Sequence, residues 1–168
     1  SSDVCSSDFL RFVELLATFS AHRALLNRVN FVIQPITNPD GAAEIFLTRE
    51  QIKEKFNEAA TLFKKYKMNT SPVYLEFLQG KRDLTCAAWA SPTRNVKGWK
   101  GPCYLITDEH HDSFDGLMTN TDWDSYGYGK DKRCEHCMVH CGYEPSAALG
   151  VNSRLGDTFK MMTWAFGS

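Results

Sequence analysis

Five of the six cysteines fall between Cys86 and Cys141, in two groups. Cys86 and Cys103 follow the spacing Cys-x11-Gly-x4-Cys, with Gly98 between them, and Cys134, Cys137 and Cys141 follow Cys-x2-Cys-x3-Cys. Thiols grouped this way can do three kinds of chemistry: pair as disulfides, hold zinc, or hold an iron–sulfur cluster. Disulfides require an oxidising compartment. The opening Ser1-Ser2-Asp3-Val4-Cys5-Ser6-Ser7-Asp8 has neither the positive n-region nor the apolar h-region of a secretory signal, and setting Cys5 aside with that leader leaves an odd number of thiols. Zinc suits Cys134-x-x-Cys137, an ordinary ligand pair on a turn. Structural zinc normally uses two such close pairs, however, and Cys86 and Cys103 are too far apart for a second knuckle. An iron–sulfur cluster fits the spacing better, because thiolates on separate loops can each meet one corner of a cubane. It also suits a cytoplasmic protein, whose thiols stay reduced. Spacing leaves open which four of the five thiols bind, and zinc stands as the alternative. His136 and His140 lie among these cysteines as ligand or supporting candidates, with a solvated or structural role the preferred reading.

Few other residues nearby suggest chemistry. The stretch from Ala87 to Trp99 reads as a hairpin reversing around Pro92-Thr93-Arg94-Asn95, which would bring Cys103 back to Cys86. Arg94 could orient a carboxylate or a cluster sulfide, although an exposed turn arginine is the commoner case. Asp122 and Asp124 flank Trp123, where turn hydrogen bonding outweighs acid–base catalysis. No general acid or base can be named.

The elements that must position the cysteines read as α/β. Residues 9–26 repeat apolar side chains at three- and four-residue steps, an amphipathic helix. Val29-Asn30-Phe31-Val32-Ile33-Gln34 suits a buried parallel strand, and Thr37-Asn38-Pro39-Asp40-Gly41 a loop at its carboxyl end, where α/β enzymes place ligand contacts. Thr48-Arg49-Glu50-Gln51 reads as a capping box that opens a helix running to about Tyr66. Val73 to Leu78 is a short helix or strand closed by Gln79-Gly80. After Gly80, Gly and Pro recur too often for long elements; the helical signals there are 113–118 and 159–166. The chain thus divides into a leader, 1–8, resembling the translated read-through of a sequencing adapter; an α/β part, 9–80; and a cysteine-rich part, 81–168.

Composition narrows the partners. With 19 Lys plus Arg against 20 Asp plus Glu, the net charge of -1 disfavours nucleic acid and anionic membranes as main partners. Apolar residues make up 43% and aromatics 12%, yet no apolar run approaches the ~20 residues of a spanning helix.

The cysteine spacing resembles the auxiliary-cluster extensions, called SPASM or twitch, of radical S-adenosylmethionine enzymes. Thr85-Cys86-Ala87-Ala88-Trp89, Pro92-Thr93-Arg94-Asn95-Val96, Gly98-Trp99, Pro102-Cys103-Tyr104-Leu105, Thr121-Asp122-Trp123-Asp124-Ser125-Tyr126-Gly127 and Cys134-Glu135-His136-Cys137-Met138-Val139-His140-Cys141-Gly142-Tyr143-Glu144 are more specifically similar to the adenosyl-hopene transferase family of hopanoid biosynthesis. The similarity is dense over 71–148 and weakens towards residue 9.

The resemblance implies a parent enzyme with a partial (β/α) barrel, of which 9–80 would be the carboxyl-terminal part. Its catalytic 4Fe-4S cluster cleaves S-adenosylmethionine, and the deoxyadenosyl radical adds to a hopene-like triterpene. Cys86, Cys103, Cys134, Cys137 and Cys141 would supply an auxiliary 4Fe-4S cluster. Gln34 would lie near the adenine of the cosubstrate, and Trp89 or Trp99 would face the apolar substrate. A flavodoxin or ferredoxin would donate electrons, with contact to a membrane surface at most peripheral. The catalytic signature Cys-x3-Cys-x2-Cys is absent from these 168 residues, so the chain alone is expected to be inactive, a carboxyl-terminal fragment. A non-catalytic zinc-stabilised binding module, or a radical enzyme acting on another lipid or a peptide, are the alternatives.

Overall fold

The computed structural model describes residues 47–65, 68–150 and 153–166. The leader, the helix expected over 9–26, the strand and loop over 29–41, and with them Cys5 and Gln34, lie outside the described residues.

Helix α1, Arg49–Glu58, begins at the expected capping box. The Gln51 amide donates to the Thr48 hydroxyl at 3.3 Å, and the Thr48 amide donates to the Gln51 side-chain carbonyl at 2.8 Å. Two orphan donors of the first turn are thereby satisfied. The helix does not continue unbroken to Tyr66. It ends at Glu58, and α2, Ala60–Lys65, follows a tightened turn in which the Leu62 amide bonds the Ala59 carbonyl at 3.0 Å. At this break the Asn57 amide bonds the carbonyls of Lys53 and, across the fold, Gln79.

The segment before Gly80 is a helix, α3, Pro72–Leu78, with Pro72 in its first turn and the Ser71 hydroxyl capping Tyr74. Five of its seven residues are buried, so its apolar side chains surround the axis and no single periodicity shows. Gly80 stops it at φ +72°, a left-handed conformation that glycine adopts without strain.

Beyond Gly80 a three-stranded antiparallel sheet has the order β1-β2-β3, with β1 Thr93–Asn95, β2 Gly98–Pro102 and β3 Thr107–His111. The expected hairpin is present, but its reversal is displaced. Thr93, Arg94 and Asn95 are strand rather than turn, and Asn95 pairs with Gly98 around Val96-Lys97. Asn95 accepts the Lys97 amide at 2.8 Å, and Gly98 takes φ +130°. Asn and Gly at these places outweigh Pro92 as turn formers. Strand β3, Thr-Asp-Glu-His-His, carries no apolar alternation; pairing with β2 makes it a strand. Helix α4, Phe114–Asn120, is capped by Ser113 and packs on β2 and β3.

Helix α5, His140–Ala148, is an element the sequence reading omitted, since Gly142 and Pro145 read as breakers. Burial of Cys141, Gly142, Tyr143, Ser146 and Ala147 holds it in place. Helix α6, Asp157–Phe166, closes the described chain. The core joins Ile52 and Phe56 of α1, Tyr74, Phe77 and Leu78 of α3, and Tyr143 and Ala147 of α5 with Leu84 and Met138, so buried residues on both sides of Gly80 share one cluster. Phe77 stacks on Tyr143 with centroids 4.4 Å apart. The described residues mix α-helices with a β-sheet, as expected, and none of their helices is long and apolar enough to cross a membrane.

Candidate metal centre

All five cysteines of the 86–141 stretch line one cavity, together with Ala88, Pro102, Leu105, Ile106, Tyr126, Gly127, Arg133, Val139 and Gly142. None of the five is in a disulfide. Four separate pieces of backbone deliver them.

Cys86 sits on an irregular segment clipped to α5 from both sides. The Ala87 amide donates to the Gly142 carbonyl at 2.8 Å, and the buried Ser146 hydroxyl donates to the Thr85 carbonyl. The approach is so close that a Cβ on Gly142 would stand 2.3 Å from the Cys86 sulfur. Only glycine at 142 leaves room for that thiol.

Cys103 lies in the turn between β2 and β3. Its amide donates to the Ile106 carbonyl at 3.3 Å, and its sulfur accepts the Ile106 amide at 3.4 Å. Cys134 ends a 3-10 turn, Lys132–Cys134, that is capped by Asp131. The Cys137 amide then returns to the Cys134 carbonyl at 3.1 Å, which folds Cys-x2-Cys into a tight turn. Cys141 is in the first turn of α5, where free amides favour an anionic sulfur.

Arg133 locks the sheet to the Cys134 turn. Its guanidinium bonds Asp108 of β3 at 2.6 and 2.8 Å and Asp131 at 2.7 Å, holding both carboxyls below their usual range, while Tyr126 donates to Asp108 at 2.9 Å.

Burial sets the electrostatics of the thiols. Burial, reinforced by the neighbouring thiols, pushes Cys86 up to about 12, and burial pushes Cys134 up to about 11. Cys141 is raised for the same reasons. Backbone amides of Ala88, Gly127 and Gly142, beside Cys86, Cys134 and Cys141 respectively, pull the other way and would stabilise ligated thiolates. Burial thus favours the protonated thiols, and any metal that they ligate would have to displace those protons.

The cavity measures about 30 Å³, where a single water needs ~10–15 Å³. That is room for about two or three waters and too little for a polycyclic hydrocarbon. Among the described residues, no three His, Cys, Asp or Glu side chains converge as the ligands of a single ion do.

Behind the Cys-x2-Cys turn lies a buried charge. Arg49, at the start of α1 and only 6% exposed, donates from Nη1 to the Cys137 carbonyl at 2.7 Å and to the Tyr143 hydroxyl at 3.4 Å. Its guanidinium carbon lies 4.2 Å from the Tyr128 ring centroid, 5.3 Å from Phe77 and 5.7 Å from Tyr143. Cation–π contacts contribute ~0.5–2 kcal/mol each, against several kcal/mol for burying an ion. Among the described residues no carboxylate lies within ion-pair distance of it.

The five cysteines are therefore brought together as expected, while the other candidates lie apart from the cavity. Arg94 is exposed on β1. Asp122 accepts the Ser125 hydroxyl, a turn role as expected, whereas Asp124 lies 3.7 Å from Lys130 at the surface, an exposed ion pair rather than a turn hydrogen bond. His136 is exposed; His140 is half-buried, with Nδ1 buried and without a partner. Trp89 is 42% exposed, and Trp99 packs edge-on against Phe114 at 5.2 Å. The sequence reading missed Arg49, Arg133 and Gly142. Arg49 did leave a signal: a cation in the first turn of a helix, where the macrodipole favours acids.

No curated protein and no solved structure matches the chain. A family model matches residues 33–161, a span that includes α1 through α5 and every cysteine of the cavity, and the chain belongs to that family, described as a domain of unknown function (DUF3463).

Proposed function

We propose that the cysteine cavity holds an iron–sulfur cluster, and that the chain is the carboxyl-terminal part of a radical S-adenosylmethionine enzyme resembling the adenosyl-hopene transferases. The observation that carries this reading is the gathering of five thiols, from four separate pieces of backbone, around one small cavity. Thiols spread around a space suit a polynuclear centre. Zinc would draw four of them to ~2.3 Å from a single point.

When bound, such a cluster supplies one-electron transfer or a fixed anchoring point. The chain's own residues do the holding. Gly142 leaves space for the Cys86 sulfur, the Ile106 amide orients that of Cys103, and Arg133 closes the cavity from the solvent side. The apolar lining of Leu105, Ile106 and Val139 would shield a bound cluster from water.

In the parent enzyme, residues 9–80 would contribute the end of a (β/α) barrel, with Gln34 near the cosubstrate. The substrate would be a hopene-like triterpene, and an electron donor such as flavodoxin or ferredoxin would serve it in the cytoplasm. Radical chemistry is not carried by these 168 residues, which lack Cys-x3-Cys-x2-Cys.

Anaerobic reconstitution with ferrous iron and sulfide tests the reading. The expected product is a brown protein with ~four irons per chain. A colourless protein that takes up one tight zinc and no iron overturns it. Replacing Cys134 and Cys137 together by Ser abolishes loading with either metal, so the identity of the metal decides.

A further inference from the structure

Arg49 is a buried cation without a carboxylate partner among the described residues, and its strongest hydrogen bond goes to the backbone of a cysteine that lines the cavity. Its second contact, the Tyr143 hydroxyl, lies within electrostatic reach of Cys86 and Cys137. Arg82 and Arg133 grip the fold through carboxylates, Arg82 through Glu76 and Asp157 and Arg133 through Asp108 and Asp131, while the exposed Arg154 bonds the Lys81 carbonyl. Arg49 instead is held by a carbonyl, a phenol and the faces of three rings. Those groups aim the charge, and none of them is an anion. Ligated thiolates would supply one, since a cluster held by four thiolates carries net negative charge and gains one more unit when reduced.

We propose that Arg49 is the resident counter-cation of the cysteine cavity, positioned through the Cys137 carbonyl and the Tyr143 hydroxyl so that its charge favours the reduced state of the bound cluster. This rests on reading the cavity as an iron–sulfur site. Arg49 touches no reacting atom; it is a positioning residue that acts through the field across the Cys-x2-Cys turn. The step concerned is the uptake of one electron by the cluster from an external donor, which is oxidised by one electron. No bond or proton need change hands. A fixed positive charge behind a water-excluding wall is screened little by salt, so its effect persists at ordinary ionic strength.

The test is a redox titration of the reconstituted full chain with dithionite and mediators, with the reduced fraction read by electron paramagnetic resonance. Arg49→Gln is expected to lower the ratio of reduced to oxidised cluster about tenfold at a given poise, a shift of ~59 mV for one electron. Arg49→Lys, which keeps the charge, is expected to stay within about threefold of the parent. A Gln variant that loads iron normally and titrates like the parent overturns the proposal, as does a Lys variant displaced as far as Gln. Should Arg49→Gln fail to fold by circular dichroism, Tyr128→Ser takes its place. Tyr128 is 59% exposed and covers the guanidinium, so its removal lets water screen the charge and should lower the ratio about threefold. An unchanged ratio there overturns the proposal. Failure of the parent chain itself to take up iron and sulfide refutes the cluster reading instead, and the two failures are thereby distinguished.

Discussion

The same arrangement, an arginine between two carboxylates, occurs in the helical half and at the mouth of the cavity, in opposite surroundings. Arg82 bonds Glu76 of α3 at 2.9 Å and Asp157 of α6 through two bonds of 2.8 Å, with its side chain 2% exposed. Arg133 bonds Asp108 and Asp131 at comparable distances, with its side chain 38% exposed. Water and salt compete with the second set of interactions far more than with the first. The helical half is therefore clamped by buried groups, whereas the mouth of the cavity leans on exposed polar contacts.

Breaking the buried clamp should have the largest effect. Arg82→Ala takes the cation from the buried Asp157 carboxylate, which keeps only the Arg154 amide, while Glu76 retains Lys160, and should cost ~3 kcal/mol, read as a lower urea midpoint in the metal-free chain. If the loss is below about 1 kcal/mol, the buried clamp is no stronger than an exposed pair.

Acid should find the same weak point. The two bonds from Arg82 hold the Asp157 carboxyl well below the usual carboxylate range. A carboxyl whose folded pKa is depressed contributes stability above the unfolded value of ~3.9 and loses it as pH falls through the lower folded value. The urea midpoint should thus be nearly level from about pH 7 to 5 and fall below about pH 4. Asp157→Asn should flatten that fall.

Gly142→Ala sharpens the contrast from the other side. A Cβ 2.3 Å from the Cys86 sulfur must displace it; overpacking of this kind costs ~1–3 kcal/mol. The more telling readout is iron retention, expected to fall at least tenfold while the circular dichroism of the helices persists. Normal iron binding would mean that Cys86 is not a ligand.

The smallest effect is expected at the exposed clamp. Arg133→Ala should cost less than ~1 kcal/mol of stability while quickening the loss of iron to a chelator, because it opens the solvent side of the cavity. Unchanged chelation kinetics would remove Arg133 from the closure of the site.

These contrasts follow how each feature is encoded. The capping box of Thr48 and Gln51 and the stop at Gly80 operate within a few residues, and both were legible along the chain; the helix near Ser113 was legible too, though not its cap. The hairpin was legible in place but not in detail, because Asn95 and Gly98 competed with Pro92 for the turn. Helix α5 was hidden, since Gly142 and Pro145 break helices that stand alone but not one whose inner face is buried. Its glycine serves Cys86, a residue 56 positions away, and no local pattern signals such a need.

The sequence by itself determined that five thiols crowd into residues 86–141, the feature on which the proposed metal chemistry rests, and it determined the ends of several helices, because caps are local. Tertiary structure decided that Cys86 and Cys103 share a cavity with Cys134, Cys137 and Cys141, that Gly142 yields space to a sulfur, and that Arg49 lies behind the Cys-x2-Cys turn. These depend on the packing of α1, α3 and α5 around one core. The physical reason is range: a cap or turn is settled by hydrogen bonds over three or four residues, whereas the assembly of a site from distant segments is settled by which apolar faces bury one another.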